Sequence, residues 1–412
     1  MSSGPFLKIA YFNLWRRKSR TILVIIMIGF GLASMIFSQG LYDGMMVQMI
    51  QDQIRTGTGE LTIYKKGYEE SKLLSNYIED IAAVEDVLKG KDDISHFVSR
   101  VKCDGVVSSA RYSQGATIIG IDPAREKHFI NYKDPVVKGA FRVDGENNQG
   151  MIGEKLAEKL KVGIGKKIVI QGQALNKEIV ATAIRVIGIL KTNNPQIDTS
   201  GVLLDKKQVQ QLFQVNGVTE FNILLKPDTD LKAQKARLIE EIEAKKGLNI
   251  EIFTWRELYP IVLIWDQVMN YFVYISYGIV FLVVALGIFF ILFISIMERV
   301  KEFGILLAVG TPFSSICKIV FYESFIMGML GYCFGAFFGW LSLYVFSRFG
   351  LDLSYFSSGL TDVGMAAVMY PVVEGGYFVL GLIAVGASSG MAAFIPLWRL
   401  KRLKAVEAIR FI

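Results

Sequence analysis

The residue types that usually carry catalysis are scarce in this chain of 412 residues. It has two histidines, His96 and His128, and three scattered cysteines, Cys103, Cys317 and Cys333. Neither His-Glu-x-x-His nor Cys-x-x-Cys occurs in the sequence. We therefore predict no histidine-based catalysis, no metal site and no disulfide framework, and we interpret Cys103 as a strand residue rather than a redox centre.

One segment resembles a phosphate-binding loop, Gly163-Ile164-Gly165-Lys166-Lys167. A P-loop needs a glycine five residues before its Gly-Lys pair and a Ser or Thr after the lysine. Leu160 and Lys167 stand at those two positions. We therefore expect a turn before a strand in this segment, no cofactor bound by this chain, and no ATPase activity of its own.

Long apolar runs are the main structural feature of the sequence, and they must position any functional residues. Hydrophobic residues make up 52% of the sequence, charged residues only 20%, and the net charge is +7. Soluble proteins carry about a quarter charged residues, so the low charged fraction argues against a purely soluble enzyme. The high hydrophobic fraction argues against a disordered chain. A helix that crosses the bilayer needs about 20 apolar residues. We predict four transmembrane helices, at 21–41, 271–296, 316–346 and 377–397.

The first apolar run follows basic residues, as a signal peptide does. It is longer than a typical signal-peptide core, and no small-x-small cleavage site closes it. We therefore interpret 21–41 as a retained membrane anchor.

Basic residues cluster in alternate segments outside the four predicted spans. They precede the first span, lie between the second and third, and follow the fourth: Arg16, Arg17, Lys18, Arg20; Arg299, Lys301; Arg399, Lys401, Arg402, Lys404, Arg410. This pattern places 1–20, 297–315 and 398–412 in the cytoplasm, with 42–270 and the loop 347–376 outside. Simple membrane anchoring explains these residues equally well, and nucleic-acid binding is not expected.

The region 42–270 has no spanning segment and has the pattern of a folded domain. Strand, helix and strand patterns follow one another at its two ends, at 61–64, 76–89 and 96–107, and again at 220–226, 229–246 and 249–253. We predict that these units, 42–107 and 219–258, pack into one α+β subdomain. The middle, 108–218, is predicted to be a β-rich insert, with strands at 116–121, 167–171, 179–190 and 201–204 and a clear helix at 153–160.

Small residues recur within the last two spans. Gly331, Gly335 and Gly339 share one helix face, as do Gly386 and Gly390, and this spacing lets helix backbones approach closely. The partner helix is either in the same chain or in a second copy. Glu323 lies within the third span and is expected either to face protein or to lie near the membrane interface, and a packing or capping role is favoured over contact with substrate.

The loop 297–315 predicts a short amphipathic helix. Its charged and apolar residues have helical spacing, and glycine and proline end it: Glu298, Lys301, Glu302, Phe303, Gly304, Ile305, Leu306, Val309, Gly310 and Pro312. Such a helix either lies on lipid or docks into a partner protein, and the nearly balanced charge favours the protein. An interfacial helix within 1–20 is predicted from Phe6, Ile9, Ala10, Phe12, Leu14 and Trp15.

This layout resembles the FtsX-like permeases of ABC transporters, the MacB and LolC/LolE group, and it is most similar to the lipoprotein-releasing LolC/LolE family. The resemblance therefore implies a permease subunit that couples cytoplasmic ATP hydrolysis to the release of lipoproteins from the inner membrane. The resemblance covers nearly the whole chain, and the motifs that carry it lie at 13–20, 40–45, 57–64, 152–157, 255–257, 298–310, 396–398 and 405–410. It implies a multi-pass inner-membrane protein with four transmembrane α-helices and a large α+β periplasmic domain. That domain would have two subdomains, a porter-like part and the β-rich insert.

The resemblance also implies partners. Two permease subunits, identical or different, would each bind one subunit of a cytoplasmic ATPase dimer, which binds ATP and Mg²⁺. Residues 298–310 would form the coupling helix that contacts the ATPase. In the lipoprotein-releasing branch, the lipid anchor of an outer-membrane lipoprotein enters between the first two spans and is passed to a periplasmic carrier. The residues that would contact the anchor are Met45, Met46, Met49, Val262, Ile264 and Tyr271, although a plain interfacial collar explains them equally well.

One departure separates this chain from carrier-capturing members of the family, which bear a protruding hairpin in the insert. The linker 171–178 of this chain is short, so we do not expect it to capture a carrier. The alternatives to lipoprotein release are a MacB-type efflux or peptide exporter and a regulator of a cell-wall hydrolase. Such regulators usually have smaller external domains.

Overall fold

The computed structural model describes residues 4–16, 18–129, 136–139, 148–192, 194–227, 229–244, 249–356, 359 and 364–402. Arg17, Lys404, Arg410 and the predicted motif at 405–410 lie outside these ranges. The chain forms two compact units. We call residues 1–46, 265–353 and 368–412 the helical unit, and residues 47–264 and 354–367 the α/β domain.

The described α-helices are, in chain order, α1 Gly4–Arg16, α2 Lys18–Gln53, α3 Tyr68–Ser71, α4 Ile81–Leu88, α5 Pro123–Phe129, α6 Glu154–Leu160, α7 Pro195–Ser200, α8 Lys206–Phe213, α9 Leu231–Ala244, α10 Trp255–Leu258, α11 Pro260–Glu298, α12 Val300–Ala308, α13 Phe313–Phe349 and α14 Gly375–Arg402. A π-helix, Ile54–Thr58, continues α2. Four of these helices are long and apolar enough to cross a membrane, namely α2, α11, α13 and α14. The four predicted spans are thus confirmed as apolar helices, and α2 and α11 extend well beyond them.

The described strands are β1 Leu61–Lys65, β2 Ile94–Ser108, β3 Ser113–Ile121, β4 Val136–Gly139, β5 Gln149–Gly153, β6 Lys167–Gln173, β7 Ile179–Leu190, β8 Gly201–Asp205, β9 Glu220–Leu225, β10 Ile250–Thr254, β11 Leu351–Asp352 and β12 Val368–Met369. β10, β1, β9 and β2 are neighbours in that order, so both predicted end units meet in one sheet. The first half of the long β2 pairs with β9 and its second half with β3 and β6. One strand therefore links the end units to the region of the predicted insert.

Glycines let two helices of the helical unit approach closely. A Cβ added at Gly331 would lie 2.7 Å from the Cβ of Ile28, and one added at Gly335 would lie 2.7 Å from the carbonyl oxygen of Gly29. At Gly339 the added atom would lie 3.0 Å from Ile36. The small face of α13 therefore packs directly against α2, which selects the intrachain alternative for these three glycines.

The glycines of α14 behave differently. A Cβ added at Gly386 or Gly390 would meet no described atom within 4 Å. The close contacts of α14 come from other positions: a Cβ added at Gly381 would lie 2.7 Å from Leu32, and one added at Gly328 of α13 would lie 2.1 Å from the Ser389 hydroxyl. The predicted packing role of Gly386 and Gly390 is thus not realised within the described part of this chain.

The predicted strands of the α/β domain are all present, whereas several helices differ from prediction. The helix expected at 76–89 begins only at Ile81, because the carboxylate of Asp80 accepts a hydrogen bond from the Ala83 amide (2.9 Å) and caps it. α5, α7 and α8 were not predicted, since helices this short show little periodicity. Asn194 and Asp205 cap α7 and α8 in the same manner.

Candidate functional site

The helix predicted between the second and third spans is present as α12. The Arg299 backbone (φ −110°, ψ 11°) leaves helical geometry, so α11 ends at Glu298 and α12 begins at Val300. At the other end Gly310 adopts a left-handed φ of 95°, which an L side chain disfavours. Pro312 then precedes α13, so α12 is set off at both ends as a separate short helix.

One face of α12 is buried and the other is exposed. Val300 and Phe303 are each 1% exposed, and Gly304 is also buried. Ile305 is 56%, Leu306 40% and Val309 81% exposed. Of the residues predicted to couple to an ATPase, Phe303 and Gly304 therefore face the chain's own core. The face available to a partner consists of Lys301, Glu302, Ile305, Leu306, Val309 and Gly310.

Glu298 does not belong to α12, contrary to the predicted helical spacing with Lys301 and Glu302. It is the last residue of α11, and its carboxylate lies 3.1 Å from the guanidinium of Arg20 in α2. Arg16 of α1 approaches Glu302 at 3.6 Å. Both pairs are partly or largely exposed, so each contributes little to stability on its own. The first pair joins the end of α11 to α2, and the second joins α12 to α1.

A buried carboxylate anchors the start of α12. Glu323 of α13 is 3% exposed, and its Oε1 accepts hydrogen bonds from Asn13 Nδ2 (2.7 Å) and Arg299 Nη1 (3.1 Å). The same guanidinium donates from Nε to Glu302 (3.0 Å) and stacks 5.0 Å from the ring centroid of Phe303. Glu323 thus faces protein, as predicted, and joins α1, the α11–α12 break and α13.

Arg299 was predicted only to be a basic residue at the boundary of a span. The signal that marks it is the combination of Arg299 with Glu323, a carboxylate inside an apolar span. Such a carboxylate needs a charged or polar partner within reach.

A groove of about 520 Å³ opens between α2 and α11 within the helical unit. Its walls are mainly apolar, with hydroxyl and amide groups among them: Phe30, Gly31, Ser34, Met35, Ser38, Gln39, Tyr42, Met269, Phe272, Val273, Ser276 and Val280. The α2 residues recur every three to four positions, so one helix face supplies that wall. Gln39 and Tyr42, which lie nearest the α/β domain along the chain, make that end the more polar.

The residues predicted to contact a lipid anchor do not line this groove. Met46 (6% exposed) and Val262 (9%) are buried, while Ile264 and Tyr271 are exposed and Met45 and Met49 are half-buried. The prediction concentrated on the ends of the spans. The pattern that would have located the groove is the recurrence of Ser34 and Ser38 one turn apart in an otherwise apolar helix.

Two other predicted features of the α/β domain have structural explanations. Gly163 to Lys167 forms the turn between α6 and β6, with Lys166 N donating to Gly163 O (3.2 Å). Cys103 lies in β2, as predicted, and is 8% exposed. Burial raises the pKa of the Cys103 thiol well above its ordinary value, so it remains protonated and unreactive.

The linker between β6 and β7 folds back on the domain. Ala174 is only 4% exposed, and the Leu175 amide donates to the carbonyl oxygen of Phe213 (3.0 Å). The Ala174 amide also donates to Glu178 O (2.9 Å), which closes the hairpin tightly. This hairpin therefore does not protrude.

Comparison with known proteins matches two family models. Residues 21–241 match a MacB-like periplasmic core domain, and residues 274–405 match an FtsX-like permease C-terminal domain. The first model alone covers more than half of the chain, and the two together include most of α2 and of the α/β domain, α12 and the last two spans.

Individual relatives are distant. An uncharacterized ABC transporter permease of Methanocaldococcus jannaschii is 24% identical over 86% of this chain and 88% of that protein. The macrolide export ATP-binding/permease protein MacB of Escherichia coli is 21% identical over 85% of this chain and 52% of that protein. The solved periplasmic region of MacB from Actinobacillus actinomycetemcomitans shares 13% identity, covers 54% of this chain and 98% of that one, and has a TM-score of 0.36.

Proposed function

This chain belongs to the family of ABC transporter permeases that carry a MacB-like periplasmic core domain and an FtsX-like permease domain, and we propose that it couples ATP hydrolysis in a separate subunit to the release of lipoproteins from the inner membrane. The family implies an ATPase partner. In this proposal the partner binds ATP and Mg²⁺, and the permease itself is not an enzyme. Both termini and α12 face the cytoplasm, and the α/β domain faces the periplasm.

The groove between α2 and α11 carries the substrate part of the proposal. A lipoprotein has acyl chains that need apolar walls and a polar linkage that needs hydrogen-bonding groups. The groove supplies both, with phenylalanine, methionine and valine side chains and with Ser34, Ser38 and Gln39. Its volume of about 520 Å³ accommodates part of an acyl chain rather than a folded protein, so the protein moiety stays outside.

The coupling part rests on α12. Ile305, Leu306 and Val309 are exposed apolar side chains on one short helix, which suits insertion into a groove of a partner ATPase. The Arg299–Glu323 contact fixes that helix to α13, so force applied at α12 reaches the spans.

Delivery to a carrier is assigned to another subunit. The hairpin at 174–178 is folded back, which supports a role as the non-capturing member of a pair of permeases, or as a homodimer that delivers its substrate differently.

The function is tested by depleting the protein in cells labelled with radioactive palmitate and separating the inner and outer membranes. We expect mature lipoproteins to accumulate in the inner membrane and to return to the outer membrane when the protein is resupplied. Unchanged lipoprotein distribution would overturn the proposal.

Export of an apolar small molecule or peptide is the second candidate. The similarity to the macrolide exporter of Escherichia coli covers 85% of this chain, and an apolar groove also suits apolar small molecules and peptides. In this case depletion would leave the distribution of lipoproteins between the two membranes unchanged and would sensitise cells to macrolides.

A further inference from the structure

The end of α2 inside the α/β domain has an uncommon geometry. The helix finishes as a π-helix, Ile54–Thr58, and Gly59 closes it with a left-handed φ of 71°. π-Helices are rare, appear mostly as single turns and are frequently found at functional sites. Because the last carbonyls of a helix have no partner within it, they must find donors elsewhere when they are buried.

A buried arginine supplies those donors. Arg100 of β2 is 1% exposed, and its Nη1 donates to the carbonyl oxygens of Gly57 (2.7 Å) and Thr56 (3.3 Å). Its remaining donors, Nε and Nη2, bind the two carboxylate oxygens of Glu126 at 2.6 and 3.0 Å. Glu126 lies on α5 and is fully buried. The guanidinium also stacks on Phe129, 5.2 Å from the ring centroid.

Two buried amides complete the arrangement. Asn194 Nδ2 donates to the Thr56 hydroxyl (2.9 Å), and Asn222 Nδ2 donates to the Gly57 carbonyl oxygen (3.3 Å). Asn194 precedes α7, whereas Asn222 lies in the middle of β9. Side chains from separate parts of the α/β domain thus converge on one helical turn. We call Arg100, Glu126, Asn194 and Asn222 the helix-end socket.

The charge in the socket is not explained by stability alone. A buried ion pair is expensive to desolvate, and apolar residues of similar size often serve stability as well or better. A guanidinium does what an apolar residue cannot, because it binds the negative end of the helix dipole through directed hydrogen bonds. The arrangement therefore specifies the position of the helix end relative to the sheet.

We propose that the helix-end socket is the joint through which movement of α2 reaches the α/β domain, with Arg100 as the positioning residue. This inference rests on the proposed coupling function, because the same helix begins at Lys18 in the helical unit. With the socket intact, the end of α2 and the sheet move as one body. Without it, the π turn slips and movement of α2 is lost at the joint.

The principal test uses the full-length chain in lipid nanodiscs, with Arg100→Met combined with Glu126→Leu. This pair removes both charges together, so no unpaired buried charge remains to unfold the domain. Spin labels at exposed Gln51 of α2 and exposed Gln171 of β6 report the distance across the joint. We expect a narrow distance distribution in the wild type and a clearly broader one in the double variant, with faster deuterium uptake at residues 54–59. Unchanged width and unchanged uptake would overturn the proposal.

Coupling is read out separately, in the complex with the copurifying ATPase subunit trapped by ATP and vanadate. Trapping should change deuterium uptake in the α/β domain of the wild type, and this change should be lost in the double variant. Arg100→Lys, which keeps a cation beside the carbonyls, should restore part of it. A full response in the double variant would refute the joint while leaving the proposed function intact. The absence of any response in the wild type would instead count against the proposed function, and the spin-label distances would still decide on the joint.

If the double variant fails to fold, Asn194→Ala provides the second test, because it removes only the donor to the Thr56 hydroxyl and the cap of α7. The distance distribution should then broaden to a smaller degree. An unchanged distribution in a folded Asn194→Ala protein would contradict the socket.

Discussion

Arg299 Nη1 lies 3.1 Å from Glu323 Oε1, so the residue at the break between α11 and α12 is bound to a carboxylate buried in α13. The two residues are separated by a whole short helix and a turn in the sequence. Their contact means that α12 cannot rotate freely about its N-terminal end. A partner that pushes on α12 pushes on α13 as well.

Loss of the Glu323 carboxylate should destabilise the helical unit in graded steps. Glu323→Gln keeps an acceptor for Asn13 but loses the charge that faces Arg299, whereas Glu323→Leu loses both. Removing one partner of a buried hydrogen bond costs about 1–3 kcal/mol, so the thermal midpoint should fall in the order wild type, Gln, Leu. Thermal unfolding in detergent measures this. Glu158→Leu, on the exposed face of α6, is the control, and equal midpoints for the Glu323 variants would contradict the anchoring role.

Charge on the exposed face of α12 should release the ATPase and leave the fold intact. Val309→Asp and Leu306→Asp place a carboxylate where an apolar partner surface is expected. Copurification of the ATPase should be lost while the thermal midpoint changes little. Phe349→Asp, at an equally exposed apolar position on the opposite end of α13, should not affect copurification. Phe303→Asp is expected to unfold the helical unit instead, because its ring is buried.

Enlarging the glycines of α13 should disrupt packing against α2, whereas the same change in α14 should not. Gly335→Val would push a side chain against the Gly29 backbone, which cannot move aside, and overpacking of this kind costs about 1–3 kcal/mol. Gly390→Val is the matched control with open space around it. Thermal stability of the monomer in detergent distinguishes them. A similar loss for both variants would show that intrachain packing is not the cause.

Filling the groove should block release without affecting assembly. Ser38→Phe introduces a ring into the groove, and Ser347→Phe introduces the same ring on α13, away from the groove residues. We expect Ser38→Phe to retain palmitate-labelled lipoproteins in the inner membrane and to keep its ATPase partner. Ser347→Phe should behave as the wild type does. Normal release by Ser38→Phe would exclude this groove as the path.

Acid should weaken the α/β domain through Glu85. Burial alone would raise the pKa of Glu85, but hydrogen bonds from Arg125 and Lys89 outweigh it and hold this pKa below its usual value. The stabilisation is therefore complete above the unfolded pKa of about 4.3 and is lost as the pH falls through the lower folded pKa. Glu85→Gln should flatten the fall in unfolding midpoint between about pH 5 and 3, and Glu70→Gln, which is exposed, should not. Parallel curves for wild type and Glu85→Gln would refute the assignment.

Much of the architecture could be predicted from local patterns. The apolar runs are long enough to define four helices, and the local residue patterns of β1, β2 and β7 identified the positions of these strands closely. Gly310 and Pro312 marked the end of α12, since backbone geometry at a helix end restricts the residue type. The short helices α5, α7 and α8 were not predicted, because capping side chains and contacts with the sheet stabilise them.

What the sequence determined by itself was therefore the number of spans, their positions and most of the strands between the first two spans, because each depends on neighbours along the chain. The tertiary structure decided which face of α12 is buried, that α13 packs by its glycines on α2, and that Arg100 reaches the end of a helix more than 40 residues before it. Those relationships join residues distant in sequence, and they follow from how the faces meet in space, which no local pattern records.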